Sequence, residues 1–407
     1  MKKLFILLPI AALMFASCSN DEQTSAPRVQ NVPEGAIWFS SGLQDLTRSS
    51  ISSSNFRAFN VSAVHSDVQY AFANLNVTST DGQLWTYNTG DAMNPYKYWP
   101  IDNSPLTFYA YAPVDVQPKV TIGNSIQQMT AFQQEQHVDD HMDVLSAYAQ
   151  GTKSGNASSG VNLNFKHALS KIEVLAKNSN TDDYDIKVLG VKLCRIGDTG
   201  DMTFQSSAAG YPEWSNISGS QSFIKKSNGA AAAITLTPQA QDIMFGNDHF
   251  LMVPQQLTGW TGQAADAQGA YLSVLVQIIK KSDNTQAYPN DAGKFGFTAV
   301  PIATNWAPGH RYVYTLDFFG NGGGAGQVDP DPENPEDRPN HPGDDGYNPD
   351  NPGGDEDVDP TPVGGDPGDG TGAGDPTINT GFNAAIKFTV TIEDWINNSS
   401  DNQTLDF

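Results

Sequence analysis

The stretch 384–395 reads Ala-Ala-Ile-Lys-Phe-Thr-Val-Thr-Ile-Glu-Asp-Trp, so Ile386, Phe388, Val390 and Ile392 alternate with Lys387, Thr389, Thr391 and Glu393. A period of two over this length predicts a strand with one apolar face. The residues before it, from about 321 to 376, are mostly Gly, Pro, Asp and Asn, which bury too little apolar surface to fold. A strand with one greasy face needs a sheet edge to pair with, and alone in water it has none. The chain must therefore belong to a β-protein that receives this strand, in its own copy or in a neighbour.

The rest of the 407 residues agrees. Helical periodicity is scarce, turn dipeptides are common, and β-branched and aromatic residues recur in short runs, which favours all-β architecture. The length suffices for two domains of ordinary size. The formal net charge is −23. Nucleic-acid binding is excluded as a function class, since it wants stripes of Lys and Arg. The acidity is also local. Between Val328 and Pro376 there are 15 Asp or Glu against one Arg, so the folded parts are only mildly acidic.

The N-terminus reads as an export signal. Lys2 and Lys3 precede an apolar run, residues 4–15, that is too short to span a bilayer. Phe15-Ala16-Ser17-Cys18 then resembles the lipobox of bacterial lipoproteins, with Phe where Leu is commoner. That resemblance implies cleavage before Cys18 and acylation (palmitate) of its thiol. Ser19-Asn20-Asp21-Glu22 resembles the acidic tract that directs some lipoproteins to the outer face of the outer membrane. With Cys18 lipidated, only Cys194 remains, so no intramolecular disulfide is expected. Cys194 lies in a strand-like run, 186–196, and reads as a small core residue.

These signals divide the chain into a signal peptide (1–17), a polar tether (18–34), a β-sandwich domain (35–178) and a second one (179–319). A disordered acidic linker (320–379) and a C-terminal strand region (380–407) follow. The linker is long enough to reach about 40–45 Å as a coil and roughly 180–200 Å when stretched. Either span exceeds what folding back onto the next strand requires.

Several segments taken in order resemble the fimbrillin family, the lipoprotein-derived pilins of type V pili. They are Trp85-Thr86-Tyr87 with Tyr98-Trp99-Pro100, then 106–113, and Phe165-Lys166-His167-Ala168-Leu169-Ser170-Lys171-Ile172. Further on come Phe250-Leu251-Met252-Val253-Pro254-Gln255-Gln256, then Trp306-Ala307-Pro308-Gly309-His310-Arg311-Tyr312-Val313-Tyr314, and 388–395. The resemblance implies two tandem transthyretin-like β-sandwich domains, exported as a lipoprotein and assembled head to tail with sister subunits into surface fimbriae that support adhesion to host or bacterial surfaces. The long acidic insertion before the last strand departs from the family pattern.

The resemblance further implies that an Arg-directed surface protease removes the first strand and opens a groove for a neighbour's strand. Arg48, inside a Ser-rich stretch just after the first predicted strand, is the expected cut, with Arg57 as the second candidate. The donor strand is expected at Ile386, Phe388, Val390 and Ile392. Burying these four side chains is worth about 6–12 kcal/mol in gross transfer terms, an upper bound offset by the entropy of ordering.

Other signals carry less. His137 and His141 flank acidic residues and imitate a metal cluster, but no further ligand pair accompanies them, and a polar loop is the expected reading. The linker's Asp runs lack the spacing of a calcium loop. No metal, cofactor or catalytic motif is expected, and His167 reads as a buried structural histidine with no carboxylate beside it in sequence. Trp85, Trp99, Trp260 and Trp306 leave one competing reading open, a monomeric surface lipoprotein that binds glycans through exposed tryptophans.

Overall fold

The computed structural model describes residues 32–43, 56–65, 71–227, 230–246, 249–262, 267–289, 292–331, 385–395 and 403–406. The protein is nearly all β; among the described residues there is one α-helix, the four-residue Lys153–Asn156, capped by the Thr152 hydroxyl, which accepts from the Gly155 N–H. Cys18 and Arg48 lie outside the described residues, as do the signal peptide and most of the acidic stretch.

The first half folds around one seven-stranded sheet. Its order across the sheet is Phe39–Leu43, Val161–His167, Leu145–Gly151, Leu106–Ala112, Ala58–His65, Phe72–Ser79 and Trp85–Tyr87. Only the first pair is parallel; the others are antiparallel. In Leu106–Ala112 the residues Leu106, Phe108 and Ala110 face the core while Tyr109 and Tyr111 face the second half, so both faces of this strand are covered. The sheet curls until its two edges meet. Phe39 on one edge and Tyr87 on the other place their rings 6.1 Å apart, and the Tyr87 hydroxyl donates to the Ile37 carbonyl at 2.7 Å. A bulge in Phe72–Ser79, where two residues face Ser62 alone, places Asn74 at φ 48°, a left-handed conformation that Asn tolerates better than most side chains.

The second half packs two sheets face to face around a large apolar core. One contains Ser170–Asn178, His310–Phe318, Lys387–Asp394 and Gln403–Asp406, with Phe250–Met252 and Gln241–Asp242 pairing to Ser170–Asn178. The other contains Gln221–Lys226, Tyr184–Ile196, Tyr271–Lys280, Gly296–Pro301 and Gln327–Val328, with two short strands, Ile234–Thr235 and Gln286–Tyr288, at its sides. A small fourth sheet, Glu213–Ser218, Thr199–Thr203, Gln127–Gln133 and Val120–Ile122, takes strands from both halves.

Two expected boundaries differ from this arrangement. Ser170–Asn178 was expected inside the first domain, yet it runs parallel to His310–Phe318 over eight residue pairs and so belongs to the second sandwich. The sheet changes between His167 and Ser170, ahead of the polar stretch at 179–183. The acidic linker was expected to begin at Gly320, but residues 320–331 are built into the fold. Gln327–Val328 pairs with Ala299 and Thr298, and Asp329 is buried against Lys192. A buried partner for that carboxylate overrides the local composition.

Candidate interface at the first and last strands

The first strand enters the sandwich through Ala36, which bridges to Tyr98, and then runs beside Val161–His167 from Phe39↔Val161 to Leu43↔Phe165. Ile37 and Phe39 fill the core, and Phe39 meets Phe59 and Phe108 edge to face. Backbone bonds fasten the entry: Ile37 N–H donates to Lys97 O at 2.7 Å and Val161 N–H to Trp38 O at 2.9 Å. Trp38 lies flat over Gly160, whose φ is +73°; a Cβ there would sit 2.6 Å from the indole. Glycine is therefore required at 160 on two counts, the backbone conformation and the close approach. Lifting the first strand out would leave a free edge on Val161–His167 and an apolar slot where Ile37 and Phe39 had been.

Arg57, the second candidate cut, stands at the start of Ala58–His65. Its guanidinium donates to the Phe56 carbonyl at 2.7 Å, and its own carbonyl accepts from Ser79 N–H at 2.9 Å. Phe56 is itself a core residue. A protease acting at Arg57 would have to unpick packed structure.

The last strand, Lys387–Asp394, sits in its own chain's second sandwich. It runs antiparallel to His310–Phe318 in unbroken register from His310↔Asp394 to Asp317↔Lys387. Ile386, Phe388 and Val390 are buried in the core, and Ile392 packs against its rim. Gln403–Asp406 adds a further antiparallel strand outside it. On the outer face, Arg311 bridges two carboxylates, pairing with Glu393 of the last strand at 2.6 Å and with Glu173 of Ser170–Asn178. Lys171 and His249 also approach Glu173, at 3.1 and 3.5 Å. Burial alone would raise the Glu173 carboxyl. The Arg311 hydrogen bond, with the charges of Lys171, His249 and Arg311, outweighs burial and holds it down at about 2.

Beyond the strand, Trp395 reaches back to the junction of the two halves. Its indole stacks on His167 at 3.7 Å with the planes 7° apart, and its N–H to Gly309 O bond of 2.8 Å holds the backbone. His167 Nδ1 lies 2.8 Å from Asp143 Oδ1, both side chains buried. His167 is thus the buried histidine expected, but with a carboxylate partner that sequence proximity could not reveal, 24 residues away. The last strand is anchored at one end in the sandwich core and at the other under this histidine.

The imitation metal cluster is not assembled. His141 turns inward, where its Nδ1 accepts from Leu251 N–H at 3.1 Å and burial lowers its pKa to about 3, while His137 is exposed. Among the described residues no group of three or more His, Cys, Asp or Glu could hold a metal ion. The aromatic platform of the glycan reading is not formed either: Trp85, Trp99, Trp260 and Trp306 are 2%, 4%, 3% and 2% exposed. Cys194 is fully buried, where desolvation pushes its thiol up to about 12, as a core residue.

A family model described as fimbrillin-like matches residues 50–328. Among solved structures, the chain is similar to a fimbrial protein from Bacteroides vulgatus, with 17% identity, 69% of this chain and 94% of that chain covered, and a TM-score of 0.43. It is also similar to a proposed cell adhesion protein from Bacteroides uniformis, with 14% identity, 71% and 94% covered, and a TM-score of 0.40. No curated protein matches it in sequence.

Proposed function

The chain belongs to the fimbrillin-like family, and from that premise we propose that it is a structural, non-enzymatic subunit of surface fimbriae that polymerises by exchanging its last strand. Membership supports a fimbrial or cell-adhesion role; the assembly steps are our reading. Cys18 carries the lipid that holds the newly exported chain at the outer membrane. Cleavage at Arg48, which follows the first strand and precedes Ala58–His65, releases the lipidated peptide together with Phe39–Leu43. The slot so opened in one subunit receives the strand 387–394 of the next. The outermost subunits present adhesive surfaces to host cells or other bacteria.

One observation supports the exchange above the rest. The first strand fills its slot with Ile37 and Phe39, and the last strand buries Ile386 and Phe388, the same two residue types at the same spacing. Strand addition then satisfies backbone donors and acceptors along the free edge while the side chains occupy vacated pockets. Joining one end of a subunit to the other end of its neighbour is a heterologous contact, which propagates an open filament. In the free chain the last strand instead closes its own second sandwich, so exchange requires it to leave that site. The long acidic stretch preceding it supplies the reach.

Arg-specific proteolysis of the purified chain tests this. The expected outcome is a single early cut near Arg48 followed by SDS-resistant multimers. A chain that is cut at Arg48 yet remains monomeric under the same conditions would exclude strand exchange.

A further inference from the structure

The acidic stretch begins at a buried site that its composition hides. Asp329 lies at the end of the edge strand Gln327–Val328, with its N–H donating to the Phe297 carbonyl at 3.2 Å. Its carboxylate faces Lys192 of Tyr184–Ile196, with Nζ 2.8 Å from Oδ2 and the two side chains 1% and 0% exposed. The Lys192 ammonium lies 4.3 Å from the centroid of the Phe297 ring and donates to the Asp331 carbonyl. Oδ1 of Asp329 is held differently. It accepts from the Tyr271 hydroxyl at 2.8 Å and from the Asp331 N–H at 2.8 Å. Burial raises the Tyr271 pKa, so its hydroxyl stays protonated and remains a donor. Oδ2 has no aligned hydrogen bond despite the close amine.

An amine and a carboxyl pressed together in a dry site are costly as ions and have a second way to relieve the cost. We propose that Lys192 and Asp329 condense into an intramolecular amide. The ammonium first passes a proton to the carboxylate 2.8 Å away, giving a neutral amine and a carboxylic acid. Nζ then attacks Cγ, and negative charge develops on Oδ1, where two donors already stand. The Cγ–Oδ2 bond breaks, Oδ2 leaves as water with the second proton lost by nitrogen, and the Nζ–Cγ amide remains. The sum is ammonium plus carboxylate giving amide plus water, with no further reagent. Proximity replaces activation, because both groups are fixed by a packed core.

The bond has a mechanical consequence. Gln327–Val328 contributes only two residues to its sheet, so tension arriving through the acidic stretch would peel it. A covalent link carries that tension into Tyr184–Ile196, which pairs with Tyr271–Lys280 along ten residues. The link itself does not depend on the fimbrial reading.

Tryptic digestion of the full chain with mass spectrometry decides the matter. A branched peptide joining Lys192 to Asp329, one water lighter than its two parts and with no cleavage after Lys192, is expected; Asp329→Asn gives the same branched product by losing ammonia. Only linear peptides, cut after Lys192 and carrying unmodified Asp329, would overturn the proposal. A branched species that persists in Lys192→Arg would do so as well.

Discussion

Single side chains decide how firmly the two terminal strands are held. Glu173 sits under Arg311, Lys171 and His249, and its depressed pKa means that the folded state binds the carboxylate form more tightly than the unfolded chain does. Its contribution is therefore complete above about pH 4.5 and drains away as the pH falls toward 2. Urea midpoints of the wild type and Glu173→Gln, measured from pH 6 down, should differ most at pH 6 and converge below about 4.5; parallel curves would contradict the assignment. At neutral pH Glu173→Ala removes the carboxylate that pairs with Arg311 and lies 3.1 Å from the buried Lys171, and is expected to cost about 3–5 kcal/mol. Gly160→Ala forces a non-glycine residue to φ +73° against the Trp38 ring, with an expected cost of about 1–3 kcal/mol. Because that strain falls on the first strand's support, cleavage at Arg48 should also become faster. None of these pairings is visible locally. Glu173 and Arg311 are 138 positions apart, and His167 meets Asp143 only because two strands turn back on each other.

At the level of elements, period-two alternation located the last strand and the residues that bury it, because a sheet with one covered face imposes that period directly. The same pattern could not say which strand pairs with which. Ser170–Asn178 reads as a continuation of the first domain, and only its parallel register with His310–Phe318 moves it to the second. Residues 320–331 misled for the opposite reason: Asp and Gly beside a proline-rich run imply solvent, while Asp329 is buried by a lysine 137 positions earlier. Trp85, Trp99, Trp260 and Trp306, which in the sequence leave a glycan platform open, are all buried as packing residues, since a β-sandwich core takes much of its volume from aromatics. Phe388→Ala removes a core aromatic from the last strand and is expected to cost about 3 kcal/mol or more in the unassembled chain. The same change should lower multimer yield after proteolysis. A variant that folds less stably yet multimerises normally would separate the strand's two roles and count against exchange.

Over the whole molecule, the two ends of the chain perform matched tasks. The first strand fills a slot in one sandwich, the last fills an edge of the other, and both use an isoleucine and a phenylalanine two apart. Laying Ile386 and Phe388 where Ile37 and Phe39 stood places Val390 in the position of Ser41, directly across from Leu163. Chains carrying Val390→Cys, mixed with chains carrying Leu163→Cys and treated with the Arg-specific protease, should form a disulfide between the two kinds of subunit only after cleavage. If cleaved mixtures yield no such heterodimer while Lys387–Asp394 remains paired within its own chain, the last strand is a permanent part of its own sandwich and does not build the filament.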